Sequence, residues 1–265
     1  MTNFLHEMSW VDVEKLLKKT DTVIVPLGNM EAQGPQNPVG CCFILANETT
    51  KLVTARTGVP AIPTVPFGVA KGFQKFPGSL DIRPETFKEL VKDISLGLVR
   101  QGFRRIIFFS AHGGMNLPIL TQVASEVREE TGALFAVLHI WSLVSQVSPS
   151  LARAPGVAGG HGGDPTTSVM LYLTPDLVDM KKVKWEPLKQ PLQGMDSESY
   201  TTHTFNKIKV TIPLFVDEIS DTGGYADATK ASKERGEKVF KAMIEYLVGF
   251  VNAFKTLKIP EPPKK

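Results

Sequence analysis

The chain has 265 residues, of which 42% are hydrophobic and 22% charged, a composition typical of a folded globular protein and not of a disordered one. The formal net charge of +3, on lysines spread along the chain, argues against a nucleic-acid partner, and no run approaches the ~20 apolar residues of a membrane span. The N-terminus lacks a signal-peptide pattern and the two cysteines are adjacent, which together predict a cytoplasmic protein without disulfides.

The first part of the chain predicts helices and strands separated by two long irregular segments. No Ser/Gly-rich linker or charge block divides the sequence, so we expect residues 1–265 to form a single domain. In order, the predicted elements are a helix capped by Ser9 with Trp10 on its apolar face, a strand at 22–27, a loop at 28–40, a helix at 43–57 ended by Gly58, a partly paired strand at 59–67, and an irregular segment at 68–78.

The second part of the chain continues the alternation of strands and helices. Such alternation predicts an α/β fold of three αβα layers, in which a mostly parallel sheet is covered on both faces. The predicted elements are a helix from Pro84 to Gly102, a strand at 105–109, a helix at 117–131, a strand at 134–140, a glycine-rich loop at 156–163, a helix at 166–173, an irregular or antiparallel region at 181–216, and a final helix at 230–254.

A histidine followed by two glycines closes the predicted strand at 105–109. Ligands of open α/β sheets collect in the crevice at the carboxyl ends of the strands, where His112 is expected to lie. Gly113 and Gly114 lack a Cβ, so the backbone here can approach a metal or a substrate closely. A glycine-rich turn with a hydrogen-bonded, purely structural histidine explains the same pattern, and the spacing alone does not separate the two interpretations.

Other chemically active residues follow or flank predicted strands and are expected at the same crevice. Glu31 lies in the first long loop, Cys42 follows that loop, and His161 and Asp164 lie at the end of the glycine-rich loop. Carboxylate, imidazole and thiolate groups are the ligands of zinc and manganese sites. Glu31, Cys42, His112, His161 and Asp164 are therefore candidate ligands of such a metal site, for which the spacing alone is a weak signal.

Four segments, and a fifth near the C-terminus, resemble motifs of the creatininase (creatinine amidohydrolase) family and occur in the same order. The likeness extends roughly from residue 10 to residue 248, and it implies the fold of that family. The first segment begins with Val25-Pro26-Leu27-Gly28 and continues through Glu31, Gln33 and Gln36 to Cys42. The others are Phe76-Pro77-Gly78-Ser79, Ser110-Ala111-His112-Gly113-Gly114-Met115, His161-Gly162-Gly163-Asp164-Pro165-Thr166-Thr167-Ser168, and Gly223-Gly224-Tyr225-Ala226-Asp227-Ala228-Thr229-Lys230-Ala231.

The resemblance implies a hydrolase that opens a small cyclic substrate, either a lactam-like amide or a cyclic ketone. Members of the family hydrolyse creatinine, formamide and diketo-inositols, and they assemble as hexamers from dimers. Together with the apolar stretch at 247–251 of the final helix, this predicts a homo-oligomer, expected to be a hexamer. The expected partner is therefore a small cyclic molecule, with no nucleic acid and no membrane involved.

The chain departs from the family pattern at positions that hold a two-metal centre. Glu31 and His112 match family ligands, whereas Gln33 stands in place of a histidine and Cys42 in place of a bridging aspartate. Gln36 replaces a further histidine, and Thr166 replaces a glutamate. Glutamine is a poor substitute for imidazole, so these departures argue against two-metal chemistry.

Three interpretations remain open at this point. In the first, one zinc or manganese ion per chain is held by Glu31, Cys42 and His112, with Asp164 as an optional fourth ligand, while His161 moves a proton. In the second, catalysis is metal-free, with His161 or Glu31 as acid or base and Cys42 as nucleophile. In the third, the protein is a pseudoenzyme that binds a small molecule or an active partner subunit.

Overall fold

A parallel sheet forms the centre of the computed structural model, which describes residues 3–147, 149–151 and 160–261. Its strands are β1 (Thr22–Leu27), β2 (Arg105–Ser110) and β3 (Leu134–His139), in the order β1-β2-β3. Thr22 pairs with Arg105 and Arg105 with Leu134, so the carboxyl ends of all strands meet at one edge. That edge is where the sequence places the candidate site.

Helices cover the sheet, and a small antiparallel sheet follows in the C-terminal half. The helices are α1 (Trp10–Leu17), α2 (Cys41–Thr57), α3 (Pro84–Gln101), α4 (Asn116–Thr131), α5 (Ile140–Val147), α6 (Thr166–Leu173), α7 (Val216–Ile219) and α8 (Lys233–Phe254). The antiparallel strands are β4 (Asp196–Ser197), β5 (Thr202–Phe205) and β6 (Ile208–Thr211). Among the described residues, no helix is both long and apolar enough to cross a lipid bilayer.

The side chains of the parallel strands alternate between two hydrophobic layers. Ile24 and Ile107 pack with residues of α2, α5, α6 and α8, whereas Val25 and Phe108 pack with residues of α3 and α4. Burial of each such side chain stabilises the fold by about 1.5–3 kcal/mol. The predicted three-layer αβα arrangement with a parallel central sheet is therefore confirmed.

Several predicted helix ends are confirmed by their capping geometry. The Ser9 side chain accepts a hydrogen bond from the Asp12 backbone N–H and begins α1. Gly58 and Gly102 adopt left-handed conformations with φ of 72° and 112° after α2 and α3. α2 begins at Cys41, two residues before the predicted start, which brings Cys42 into its first turn.

Other details differ from the predictions. The segment 59–67 makes only isolated bridges, at Ala61 and Val65, because its prolines lack the N–H groups of a continuous ladder. The predicted strand at 134–140 stops at His139, and α5 begins at Ile140. Ile140 is β-branched and favours a strand by composition, which explains why the prediction is one residue too long. Trp10 is 78% exposed instead of packed. Of the predicted glycine-rich loop, residues 156–159 lie outside the described residues.

The final helix uses its apolar face inside the chain. Leu247, Val248 and Val251 are buried against the same core as Ile24 and Ile107. The sequence offers this apolar stretch as a sign of self-association, and the structure removes that particular argument. The expectation of a homo-oligomer then depends on the resemblance alone.

Helices α6 and α8 cross so closely that a side chain at the crossing point has no space. A Cβ added to Gly236 of α8 would lie 1.8 Å from the Ser168 carbonyl oxygen of α6. The neighbouring Ser232 backbone N–H donates to the Ser168 hydroxyl at 3.1 Å, which fixes the start of α8 at the same place. Since α6 directly follows the loop that carries His161, this crossing positions part of the site.

Gly236→Ala is expected to lower the free energy of unfolding by about 3 kcal/mol or more, because a clash with backbone cannot be relieved by a change of rotamer. Gly249→Ala is the matched control, since Gly249 lies in the same helix and nothing stands within 4 Å of its added Cβ. The control should be unchanged or more stable by up to about 1 kcal/mol. Chemical denaturation of both variants measures the difference, and equal stabilities would contradict the tight crossing.

Candidate functional site

Loops from the carboxyl ends of the parallel strands enclose a crevice of about 380 Å³. Glu31 lies beyond β1, His112 lies two residues beyond β2, and His139 ends β3. Cys42 enters from the first turn of α2, and His161 enters from the loop before α6. The structure therefore brings together Glu31, Cys42, His112 and His161, as the sequence predicts.

The centre of the crevice is the pair formed by Glu31 and His112, both of them buried. His112 Nδ1 lies 2.9 Å from Glu31 Oε1, and His112 Nε2 lies 3.0 Å from the Val69 carbonyl oxygen. A carbonyl oxygen only accepts hydrogen bonds, so Nε2 carries a proton. Nδ1 is thereby directed at the carboxylate, either as a second donor or as a free lone pair.

Glu31 receives further hydrogen bonds from its own loop and from α2. Asn29 Nδ2 donates to Oε2 at 3.1 Å, and Gln33 Nε2 donates to Oε1 at 2.9 Å. The Cys42 thiol donates to the same Oε1 at 3.6 Å, and Gln33 Nε2 lies 3.6 Å from the Cys42 sulfur. The carboxylate is thus fully surrounded by donors, which a buried charge requires.

These contacts set the charges of the site. Burial acts to raise the pKa of Glu31, but the charge and hydrogen bond of His112 outweigh it, and the pKa of Glu31 is lowered. Burial acts to lower the pKa of His112, whereas Glu31 raises it, and the net direction is upward. The described geometry is therefore an imidazolium–carboxylate ion pair.

Cys42 is a neutral thiol in this environment. Burial, followed by the charge of Glu31, raises its pKa well above the ordinary value. A thiol of this kind is a poor nucleophile, since the thiolate is the reactive form. A metal ion can still displace the proton, because thiolate binding and proton release are coupled.

His161 has the opposite electrostatic character. Burial lowers its pKa, only partly offset by Glu31, so its ring is neutral near neutral pH. Nε2 donates to the Ala32 carbonyl oxygen at 2.6 Å, which leaves the Nδ1 lone pair 4.0 Å from Glu31 Oε1. Its ring packs between Phe73 and Tyr225, with centroid distances of 4.5 and 5.3 Å.

The side chains of Glu31, Cys42 and His112 fit one metal ion. Their ligand atoms all lie within 4.8 Å of one another. A histidine that donates its far nitrogen to a backbone carbonyl, as His112 does to Val69, has the orientation typical of metal ligands. Carboxylate, thiolate and imidazole together are a donor set suited to zinc, and three protein ligands leave a fourth position open.

Asp164 does not join this cluster. One carboxylate oxygen accepts a 2.5 Å hydrogen bond from the Ser168 hydroxyl, and the other pairs with Arg235 Nε at 2.5 Å. Its backbone N–H donates to the Asp227 carbonyl oxygen. The candidate ligand set is therefore reduced to three residues, and Asp164 instead ties the beginning of α6 to the beginning of α8.

The two other positions that depart from the family pattern, Gln36 and Thr166, lie in different places. Gln36 Nε2 donates to the Gly162 carbonyl oxygen at 2.6 Å and to the Thr167 hydroxyl at 3.0 Å, so it joins the first loop to the loop of His161. Thr166, in contrast, lies on the wall of the crevice. Gln36 thus holds the loops that carry the site without lining the crevice.

Sequence reasoning missed part of the crevice wall. The aromatic residues Phe73, Trp141 and Tyr200 belong to this part, because their segments carry no motif. Tyr200 precedes β5, and no motif marks it. Tyr225 belongs to the fifth segment that resembles the family, and this resemblance is the sequence feature that indicated an aromatic residue of the crevice wall. The residues missed are Phe73, His139, Trp141, Ser145, Ser199, Tyr200 and Thr201.

Comparison with known proteins places this geometry among hydrolases. Residues 6–251 match the family model described as creatininase, creatinine amidohydrolase. The chain is 26% identical to the creatinine amidohydrolase of Pseudomonas putida, over 91% of this chain and 93% of that one. It is 24% identical to a mycofactocin precursor peptide peptidase of Mycobacterium tuberculosis, over 90% and 88%, and 25% identical to the 3-dehydro-scyllo-inosose hydrolase of Thermotoga maritima, over 92% and 81%.

Solved structures share the fold. A creatinine amidohydrolase crystal structure superposes with a TM-score of 0.77 at 23% identity, covering 97% of this chain and 99% of that one. A creatininase described by its manganese content gives a TM-score of 0.78 at 24% identity, over 97% and 100%. A mutant creatininase of the Zn–Zn type gives 0.76 at 23%, over 97% and 100%.

Asp164→Asn is expected to lower the free energy of unfolding by about 3–5 kcal/mol, because it leaves Arg235 without its buried counter-charge. The bound-metal content should not change, because Asp164 lies outside the cluster. Glu237→Gln is the matched control, since it removes an exposed ion pair with Lys241 on the same helix and should cost less than about 0.5 kcal/mol. Denaturation and elemental analysis decide the matter, and a loss of metal in Asp164→Asn would restore it as a ligand.

Proposed function

The chain belongs to the creatininase family, whose named relatives are hydrolases, and we propose that it hydrolyses a small cyclic amide or cyclic ketone with one metal ion per chain. The carrying observation is the cluster of Glu31, Cys42 and His112, whose ligand atoms lie within 4.8 Å of one another. A metal ion held by these three residues would supply Lewis acidity toward a carbonyl and would make water a better nucleophile. The remaining steps fall to the side chains around it.

Zinc is the metal that the donor set favours. Imidazole with thiolate is a softer set than magnesium or calcium accepts, and manganese, the second candidate, prefers oxygen ligands. Solved relatives described with zinc and with manganese are consistent with either ion. The orientation of His112, fixed by Val69, supports its role as a ligand through Nδ1.

His161 is the residue we assign to proton transfer. Its neutral ring holds a lone pair on Nδ1, 4.0 Å from Glu31, while the Ala32 carbonyl fixes the proton on Nε2. Contacts with Phe73 and Tyr225 keep the ring in place beside the crevice. A base so placed can take a proton from the attacking water and return it to the leaving group.

Glu31 binds the metal and orients its neighbours in this scheme. Its carboxylate already organises Asn29, Gln33 and His112, so the site is formed before a ligand arrives. A metal-free mechanism with Cys42 as nucleophile is disfavoured because the pKa of this thiol is raised.

A non-catalytic binding protein is the second candidate function, and one observation favours it. The Gln33 amide donates to Glu31 in a position where relatives are expected to carry a metal-binding histidine. Together with His112 it satisfies the carboxylate without any ion. A pseudoenzyme of this kind would keep the crevice and its aromatic wall for a small molecule or for an active partner subunit.

Elemental analysis of the purified protein, followed by assays on creatinine, hydantoin and cyclic 1,3-diketones, tests the proposal. One ion per chain with ring opening of any of these compounds supports it. A metal-free protein that binds a cyclic compound without opening it would instead favour the pseudoenzyme.

His112→Ala is expected to abolish metal binding, and Cys42→Ser is expected to weaken it by roughly tenfold or more, because each removes a ligand atom from the cluster. Cys41→Ser is the matched control, since the Cys41 thiol is buried beside Cys42 but bonds to the Pro38 carbonyl oxygen. Competition with a chromogenic chelator measures the affinities. Equal metal content in the Cys41 and Cys42 variants would remove Cys42 from the ligand set.

The double variant Gln33→His and Cys42→Asp restores the family pattern and is expected to bind a second metal ion. The added imidazole replaces an amide that is 2.9 Å from Glu31, and the added carboxylate offers two oxygens in place of one sulfur. Elemental analysis reports the stoichiometry. No gain of metal would mean that the crevice has been rebuilt around hydrogen bonds, and the non-catalytic function would then take precedence.

His161→Asn is expected to lower kcat by roughly 10²- to 10⁴-fold while the metal content stays unchanged, because it removes the proton-transfer group alone. In the unsubstituted enzyme the rate should rise with pH as His161 loses its proton. Burial lowers the pKa of His161, so the midpoint of this increase in rate should lie at a pH below about 6.5, the ordinary pKa of histidine. A pH–rate profile checks both points, and an acid limb that persists in His161→Asn would assign it to another group.

A further inference from the structure

His139 is a second crevice histidine that the proposed mechanism does not use. It is the last residue of β3 and directly precedes α5, and its side chain lines the crevice. A Cβ added to Gly113 would lie 3.2 Å from both Cε1 and Nε2 of the His139 ring. The glycine after His112 therefore leaves the space in which this ring sits, next to the candidate metal ligand.

The Ser142 hydroxyl is the hydrogen-bond partner of the His139 ring. His139 Nδ1 lies 2.7 Å from the Ser142 hydroxyl, which belongs to the first turn of α5. In the part of the chain that the structure describes, no other acceptor lies within hydrogen-bonding distance of this hydroxyl. When the Ser142 hydroxyl donates to Nδ1, the proton of the neutral ring is on Nε2, and when it accepts, the proton is on Nδ1.

The other ring nitrogen, Nε2, lies beside Gly113 on a residue that lines the crevice. Within residues 3–147, 149–151 and 160–261, His139 Nε2 has no hydrogen-bond partner, although Gly113 packs against it. Burial, with a smaller contribution from the charge of His112, lowers the pKa of His139 to about 4, so the ring is neutral at pH 7. A neutral imidazole ring thus shares the crevice wall with Glu31 and His112.

We infer that His139 binds the carbonyl oxygen of the ligand through Nε2–H, and that Ser142 is a positioning residue that holds this tautomer. The hydrolytic consequence depends on the proposed function: a donor at the carbonyl oxygen stabilises the negative charge that develops there. An uncharged donor suits a neutral carbonyl compound, because it adds no buried charge to a site that already contains an ion pair.

The tautomer is measured without any ligand, by solid-state ¹⁵N NMR of sedimented protein labelled at its histidines. Protonated and unprotonated ring nitrogens resonate in separate ranges, and the spectrum of His139→Asn identifies the His139 signals. The expected result is a proton on Nε2, a mixture of tautomers in Ser142→Ala, and the original state in Ser142→Thr. Gln146→Ala is the control, since Gln146 reaches only the backbone of Ser142. A proton on Nδ1 in the unsubstituted protein, or no change in Ser142→Ala, overturns the inference.

A matched pair of variants tests the donor itself. Asn at position 139 keeps a polar group near Nδ1 and removes the donor at Nε2, whereas Gln extends an amide N–H to the Nε2 position. Affinities for creatinine and 2-imidazolidinone, measured by calorimetry, should fall roughly tenfold in His139→Asn and stay within about threefold in His139→Gln. Equal loss in both variants, or no binding of either probe to the unsubstituted protein, overturns the assignment.

The two proposals fail in different ways. If His139→Gln retains affinity and His139→Asn loses it while no cyclic compound is hydrolysed, the role of His139 in binding stands and the hydrolase function falls. If ring opening is observed with equal rates in both variants, the hydrolase stands and His139 is excluded as the donor.

Discussion

A buried carboxylate is the constraint on which the rest of this structure depends. Glu31 is 1% exposed and ionised, and removing such a charge from water is costly unless donors replace the solvent. Asn29 and Gln33 come from its own loop, Cys42 from α2 and His112 from the end of β2. The donors therefore belong to separate parts of the chain, and their convergence on one group fixes how the loops around the crevice are arranged.

The backbone segments around Glu31 pack closely against one another and hold the side chains that contact it. Val69 and Gly68 accept and donate the hydrogen bonds that hold His112 and Asn29. A Cβ at Gly162 would lie 2.8 Å from the backbone of Gln33, so the loop of His161 rests directly on the loop of Glu31. Glycine is used at this contact for proximity, and its φ of 77° adds a conformational reason at the same position.

The sequence predicts the main strands and helices of this molecule better than the residues that line its crevice. Periodic apolar residues identify β1, β2 and α3, because burial on one or both faces leaves a pattern in a short window. The family resemblance identifies Glu31, His112 and His161, since their motifs are local. The prediction of Asp164 as a metal ligand is wrong because Asp164 pairs with Arg235, which is 71 residues away in the chain. No local sequence pattern indicates that pairing. Tyr200 and Trp141 reach the crevice only through the tertiary fold. The helix α5 is absent from the sequence prediction because several of its residues favour strands.

The Gln33 amide has a consequence for how the protein is made and maintained. It bonds the carboxylate and approaches the Cys42 sulfur, so the site is internally neutral and saturated without a cation. If this site holds the proposed ion, folding would not need to wait for it, unlike in small zinc domains whose chains collapse only around their ion. Under the proposed metal-dependent function, a newly synthesised chain would reach its final shape even when the ion is scarce. Cellular supply of the ion would then regulate the fraction of working molecules and leave the amount of folded protein unchanged.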